Sequence, residues 1–155
     1  MIHRGFTLIE LLVVIAIIGI LSAIGINNFM TARIKAVDAQ KKSDLQTISK
    51  GLEAYMNDHQ SYPSSNASGK IICQGASTTC DWNTVFTDGT STYIPKLPAD
   101  PNGYTYIYSS TGKNYTLYAH LNNSDDPQIN ASVVAQNISC GGSVICNYKI
   151  TSSNL

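Results

Sequence analysis

Three regimes of polarity follow one another along this chain. From Leu11 to Ala32, 22 residues pass without a formal charge, and Leu, Ile, Val and Ala dominate them. At about 1.5 Å rise per residue, a helix of that length covers roughly 33 Å, enough for a bilayer core of about 30 Å. Beyond it, Ile34, Val37, Leu45, Ile48, Leu52, Tyr55 and Met56 recur at steps of three, four or their sums. That spacing marks one face of an amphipathic helix, and the Lys, Asp and Gln residues between them read as its solvated faces. Pro63 is a firm stop. One helix is therefore predicted from about Phe6 to about His59, roughly 80 Å long. Gly19, Gly25 and Asn27-Asn28 are its weak points.

After Pro63 the composition turns to Ser, Thr, Asn and Gly. Ser64 to Thr79 reads as an irregular connection. Tyr104–Tyr108 and Tyr115–Leu121 alternate at period two around Ser109–Asn114, a hairpin signal with a Gly in its loop. A third strand is predicted around Val144 to Ile150. Tyr104, Tyr106 and Tyr108 line one strand face, as half-buried packing. The fold class is α+β, a long transmembrane and then amphipathic helix packed on a small antiparallel β-sheet head.

Charge sharpens this division. Ten basic and ten acidic side chains cancel across 155 residues, which leaves no field for holding nucleic acid. Residues 1–32 carry two formal charges, Arg4 and Glu10, whereas residues 33–60 carry nine. The remaining 95 carry nine more, with eight of nine tyrosines, the only tryptophan and all four cysteines. The chain reads as stem, neck and head. A secretory signal peptide has a shorter apolar run followed by a cleavage site, and a domain this small has no room for a wholly buried 20-residue apolar helix. The stem is thus expected to be a membrane anchor.

Glu10 is the exception in the stem. An unpaired carboxylate buried among Thr7-Leu8-Ile9 and Leu11-Leu12-Val13 costs several kcal/mol, so it must stay near the interface, take a proton or find a cation. Arg4-Gly5-Phe6-Thr7-Leu8-Ile9-Glu10-Leu11-Leu12-Val13-Val14 resembles the amino-terminal signature of type IV pilins and type II secretion pseudopilins. The resemblance implies a pilin fold with a leader at 1–5, a transmembrane and filament-core helix at 6–32, its amphipathic continuation at 33–60 and an extracytoplasmic β-rich head at 61–155. It also implies cutting by a prepilin peptidase after Gly5 and methylation of the new amine on Phe6. Glu10 of one subunit would pair with the Phe6 amine of its neighbour. The implied location is the inner membrane, spanned once with the head outside the cytoplasm, and then a cell-surface or periplasmic filament. Implied partners are membrane lipid before assembly, other copies of the chain, an inner-membrane assembly platform and a motor ATPase.

Cys73 and Cys80 have six residues between them, and Cys140 and Cys146 have five. Those spacings and the lack of a nearby His argue against zinc, and an oxidising compartment favours disulfides. Four cysteines admit three connectivities, among which sequence does not choose. Two local loops are the favoured pairing, and a Cys140–Cys146 loop would resemble the carboxy-terminal disulfide loop of many pilins. Asn122-Asn-Ser-Asp125-Asp126 is similar in place to the calcium loop of secretion-type major pseudopilins. Asp125 and Asp126 are the candidate ligands there, with a solvated turn as the plainer reading, and no other cofactor is implied.

His3, His59 and His120 are scattered, and no Gly-x-Ser-x-Gly, His-Glu-x-x-His or phosphate loop occurs, so no enzyme is expected. Two functions fit. The first is a type IV pilin-like subunit of a surface filament for adhesion, motility or DNA uptake, favoured by the four cysteines and the Thr- and Asn-rich tail. The alternative is the major pseudopilin of a type II secretion system, favoured by the short head and by Leu97–Gly103.

Overall fold

The computed structural model describes residues 5–74 and 78–152, and of residues 23–28 and 74 the backbone alone. Its first element is α1 (Leu8–His59), a helix of 52 residues. The helix ends where the periodicity does. Gln60 takes a left-handed φ of 58°, and its N–H donates to Met56 O at 2.8 Å, which caps the last turn before Pro63. The helix is continuous at Gly19; the side chains of the other expected weak points, Gly25 and Asn27-Asn28, lie outside the described residues.

The chain divides into two units, Met1–Ala36 and Val37–Leu155. In the first, every described side chain from Gly5 onward is exposed, with Leu8 at 81% and Phe6 at 77%. Among the described residues, no helix is long and apolar enough to cross a membrane. The apolar run at 11–32 passes through 23–28, whose side chains lie outside the described residues.

The second unit joins the remainder of α1 to small antiparallel sheets. Strands β1 (Ile71–Gln74) and β2 (Thr78–Cys80) form a hairpin, with a register shift between Ile72 and Gln74. A second pair is β3 (Phe86–Thr87) and β4 (Thr92–Ile94). The largest sheet has β6 (Tyr115–Ala119) between β5 (Ile107–Ser110) and β7 (Tyr148–Thr151). Leu117 faces Tyr108 on one side and Ile150 on the other. A short helix, α2 (Ala131–Ala135), is capped by Asn130 Oδ1, which accepts from Ser132 N at 2.9 Å.

Leu45, Ile48 and Leu52 of α1 are fully buried in one cluster with Ile71, Phe86, Leu97, Tyr106, Tyr108, Tyr115, Leu117 and Leu121. Each such side chain contributes about 1.5–3 kcal/mol by leaving water. The α+β class and the hairpin at 107–119 agree with the sequence reading. The segment at 64–79 does not, because it carries β1 and the start of β2. Tyr104 and Tyr106 lie ahead of β5 rather than in it, since their rings turn to polar groups on α1.

Candidate functional site

Thr7 and Glu10 build the start of α1. Glu10 Oε2 accepts from Thr7 N at 2.8 Å and from Thr7 Oγ1 at 2.6 Å, and Thr7 Oγ1 in turn accepts from Glu10 N at 3.3 Å. This is a capping box, which meets the N–H groups that a helix start leaves without partners. Phe6, Ile9, Glu10, Val13 and Val14 line an open groove of about 390 Å³ beside it. The first part of α1, up to Ala36, has every described apolar side chain exposed, and such a stretch requires another apolar environment. Gly5 and Phe6 are exposed at its tip, and Met1–Arg4 lie outside the described residues. Sequence reading found Glu10 and missed Thr7 as its partner, although Thr-x-x-Glu ahead of an apolar run carries that signal.

The second feature is a polar clamp in the neck. Asp38, Lys41 and Asp44, read from the sequence as a solvated face, are buried instead, at 1%, 0% and 8% exposure. Asp38 accepts from Asn122 N at 2.9 Å and Asn123 N at 2.7 Å. Lys41 Nζ donates to His120 O at 2.7 Å and Asn122 Oδ1 at 2.8 Å, lies 3.1 Å from Asp100 Oδ2, and sits 4.9 Å from the Tyr104 ring centre. Asp44 accepts from Gln40 Nε2 at 3.1 Å and from the Tyr106 hydroxyl at 2.8 Å. Burial, and then this hydrogen bond to a carboxylate, hold the Tyr106 phenol far above its ordinary value. A turn further on, Ser49 Oγ and Tyr115 Oη are 2.6 Å apart, and Glu53 accepts from Tyr62 at 2.8 Å. Buried charges persist when paired in this way, and removing one partner is costly.

The two calcium candidates differ in their surroundings. Both carboxylate oxygens of Asp126 accept from Lys42 Nζ, at 2.8 and 2.7 Å, and this pairing holds the Asp126 carboxyl below its ordinary range. Asp125 is exposed. Among the described residues, no group of three His, Cys, Asp or Glu side chains gathers to hold a metal.

Disulfides join Cys73 to Cys80 and Cys140 to Cys146. The first closes the β1–β2 hairpin. The second, with Val133, packs under Tyr118.

Residues 1–26 match the family model described as the prokaryotic N-terminal methylation motif, and residues 28–138 match that of type II secretion system protein G. Similar proteins include the type II secretion system core protein G of Escherichia coli K12, 32% identical over 111 residues, 72% of this chain and 74% of that one. That of Pseudomonas aeruginosa PAO1 is 34% identical over 122 residues, 76% of this chain and 82% of the relative. That of Vibrio cholerae El Tor is 30% identical over 115 residues, 74% and 76% of the two chains. No solved structure matches significantly.

Proposed function

Because this chain belongs to the type II secretion system protein G family, we propose that it is the major pseudopilin of such a system. In that role it is a structural subunit without catalysis of its own. Subunits stack into a periplasmic filament that drives folded proteins outward. The match of 28–138 to protein G carries this reading, because that segment contains the neck and most of the head, whereas the stem alone would be shared with surface pili. The surface-pilus reading agrees with the family only at the coarser level of a prepilin-type filament subunit.

In this reading the leader is cut after Gly5, and the Phe6 amine is methylated and keeps its charge. Segment 6–32 waits in the inner membrane with the head outside the cytoplasm. On assembly the exposed stem exchanges lipid for other stems, so little net apolar burial is gained. Register then depends on polar contacts, and the Glu10 carboxylate pairing with a neighbour's Phe6 amine supplies one. The assembly platform and motor ATPase of the secretion machinery complete the partner list.

Deletion of the coding sequence in the native cells tests this. The expected result is that secreted enzymes accumulate inside the envelope, with export restored by the wild-type chain. Normal secretion accompanied by loss of sheared surface fibres would overturn it in favour of a pilus.

A further inference from the structure

Lys41, Asp100, Asn102 and Asn122 meet in one place. The side chains of Lys41 and Asp100 are 0% and 1% exposed, with Nζ 3.1 Å from Oδ2. Asp100 Oδ1 accepts from Asn102 N at 2.8 Å, while the buried Oδ2 makes no hydrogen bond among the described residues. Its partner is the Lys41 ammonium, which also donates to His120 O at 2.7 Å. Lys41 Nζ also reaches Asn122 Oδ1 at 2.8 Å, and the same oxygen accepts from Asn102 Nδ2 at 2.9 Å. The loop is held for this approach by Asp38, one turn before Lys41, which accepts from the N–H groups of Asn122 and Asn123.

An amine, a carboxamide, a carboxylate paired with that amine and an N–H aimed at the amide oxygen are the groups needed to make a new amide. We propose that Lys41 and Asn122 become joined by an isopeptide bond between Nζ and Cγ, with Asp100 as proton carrier and ammonia as leaving group. Asp100 Oδ2 first takes one proton from the Lys41 ammonium. The Asn122 side chain swings about its Cα–Cβ bond so that Cγ faces Nζ in place of Oδ1, and the Nζ lone pair forms the new C–N bond. The carbonyl electrons move onto Oδ1, where the Asn102 Nδ2–H meets the developing charge. Asp100 then protonates the Asn122 nitrogen, the old C–N bond breaks, and ammonia departs toward solvent, to which Asn122 is exposed. The remaining extra proton on Nζ returns through Asp100 to the ammonia. In sum, an ammonium side chain and a carboxamide become one amide and one ammonium ion, and nothing is oxidised or reduced.

The bond would link positions 81 residues apart, against separations of 7 and 6 for the two disulfides. Closing so long a loop restrains the unfolded chain more than either disulfide does. It would also fasten the neck helix to the head covalently, in a filament subunit that carries load.

The test is the intact mass of the full chain purified from its native membranes, followed by a protease digest. The expected mass is lower by one ammonia than the sequence with its processing and disulfides, with a branched peptide linking Lys41 to Asn122. Lys41→Arg, Asn122→Ala and Asp100→Asn should each restore the unmodified mass. A wild-type chain of full mass would overturn the proposal whatever the variants do. So would an ammonia loss mapped to the Asn102-Gly103 turn without a branched peptide.

Discussion

The carboxylate of Glu10 holds both donors of Thr7 on a single oxygen, Oε2, at 2.8 and 2.6 Å. A residue read from the sequence as waiting for another subunit thus already has a task inside its own chain. The two tasks are separable by substitution. Glu10→Gln retains an acceptor for the cap and removes the charge, whereas Thr7→Val removes the hydroxyl and leaves the charge. Pairing with a neighbour's Phe6 amine needs the charge, so Glu10→Gln and Glu10→Ala should both abolish filaments and secretion. Thr7→Val should lose about 1 kcal/mol at the helix start and still assemble. The yield of sheared filaments from overexpressing cells is the readout. Normal filaments from Glu10→Gln would leave the carboxylate as a helix cap alone.

Gly51 permits a close approach between α1 and β4. A Cβ built there would overlap the Ile94 side chain, with Cδ1 at 2.5 Å. Alanine in a helix interior is worth about 1 kcal/mol over glycine, but overpacking a core costs about 1–3 kcal/mol. Packing should win, so Gly51→Ala is expected to destabilise the head by about 1 kcal/mol in urea unfolding. Adding Ile94→Ala should relieve part of the clash, and the double variant should lose less than the two single losses added together.

The two disulfides close loops of similar length, 7 and 6 residues apart, so chain entropy predicts about 2 kcal/mol from each. They differ in what surrounds them. Cys140 and Cys146 are fully buried beside Val133 and Tyr118, and Cys140 O accepts from Thr105 N at 2.7 Å, tying the segment before β5 to this loop. Replacing Cys140 and Cys146 by Ala should therefore lower the melting temperature more than replacing Cys73 and Cys80. Equal losses would mean that loop closure alone accounts for both.

The parts legible in the sequence were those with a local signal. Apolar steps of three and four drew α1 as far as His59, and strict alternation drew the hairpin of β5 and β6. The stem's Glu10 stood out because nothing near it in the chain is charged. The clamp had no local signature. Asp38 and Lys41 have partners that lie 59 to 85 residues away and include backbone groups, so on a charged helix face they look like any solvated residue. The same holds for β1 to β4. These strands are two to four residues long and rich in Thr, too short for a period to show, and packing against α1 supplies what propensity does not. Tyr104 and Tyr106 fit a strand pattern but serve Lys41 and Asp44 instead, which is why β5 begins late.

The head's charges set both edges of its pH range. Four contacts depress Asp88 far below the ordinary carboxylate value: first the N–H of Ser91, then that of Thr90, then His59 Nε2 at 2.8 Å and last the Tyr93 hydroxyl at 3.0 Å. Asp126 is depressed chiefly by Lys42. Groups lowered by folding contribute stability above their unfolded pKa of about 4, and that contribution is lost as pH falls toward the folded values. At the other edge, Tyr62 and Tyr115 are each pushed up to about 12, by burial first, with Glu53 adding to both and Ser49 opposing at Tyr115. Groups raised by folding contribute fully below the unfolded tyrosine value of about 10, and the contribution disappears as pH rises through the folded values. The melting temperature should accordingly be flat between roughly pH 5 and 9 and fall on both sides. Asp88→Asn should lower the plateau and make the acid arm shallower, because the native state then no longer holds that carboxylate ionised. Tyr106, raised by burial and by Asp44, should ionise only as the head unfolds. Ultraviolet titration should then show tyrosinate appearing in two steps, the second coinciding with loss of near-ultraviolet circular dichroism. A single smooth step near the ordinary tyrosine value would show that the neck's hydroxyls are not held as described.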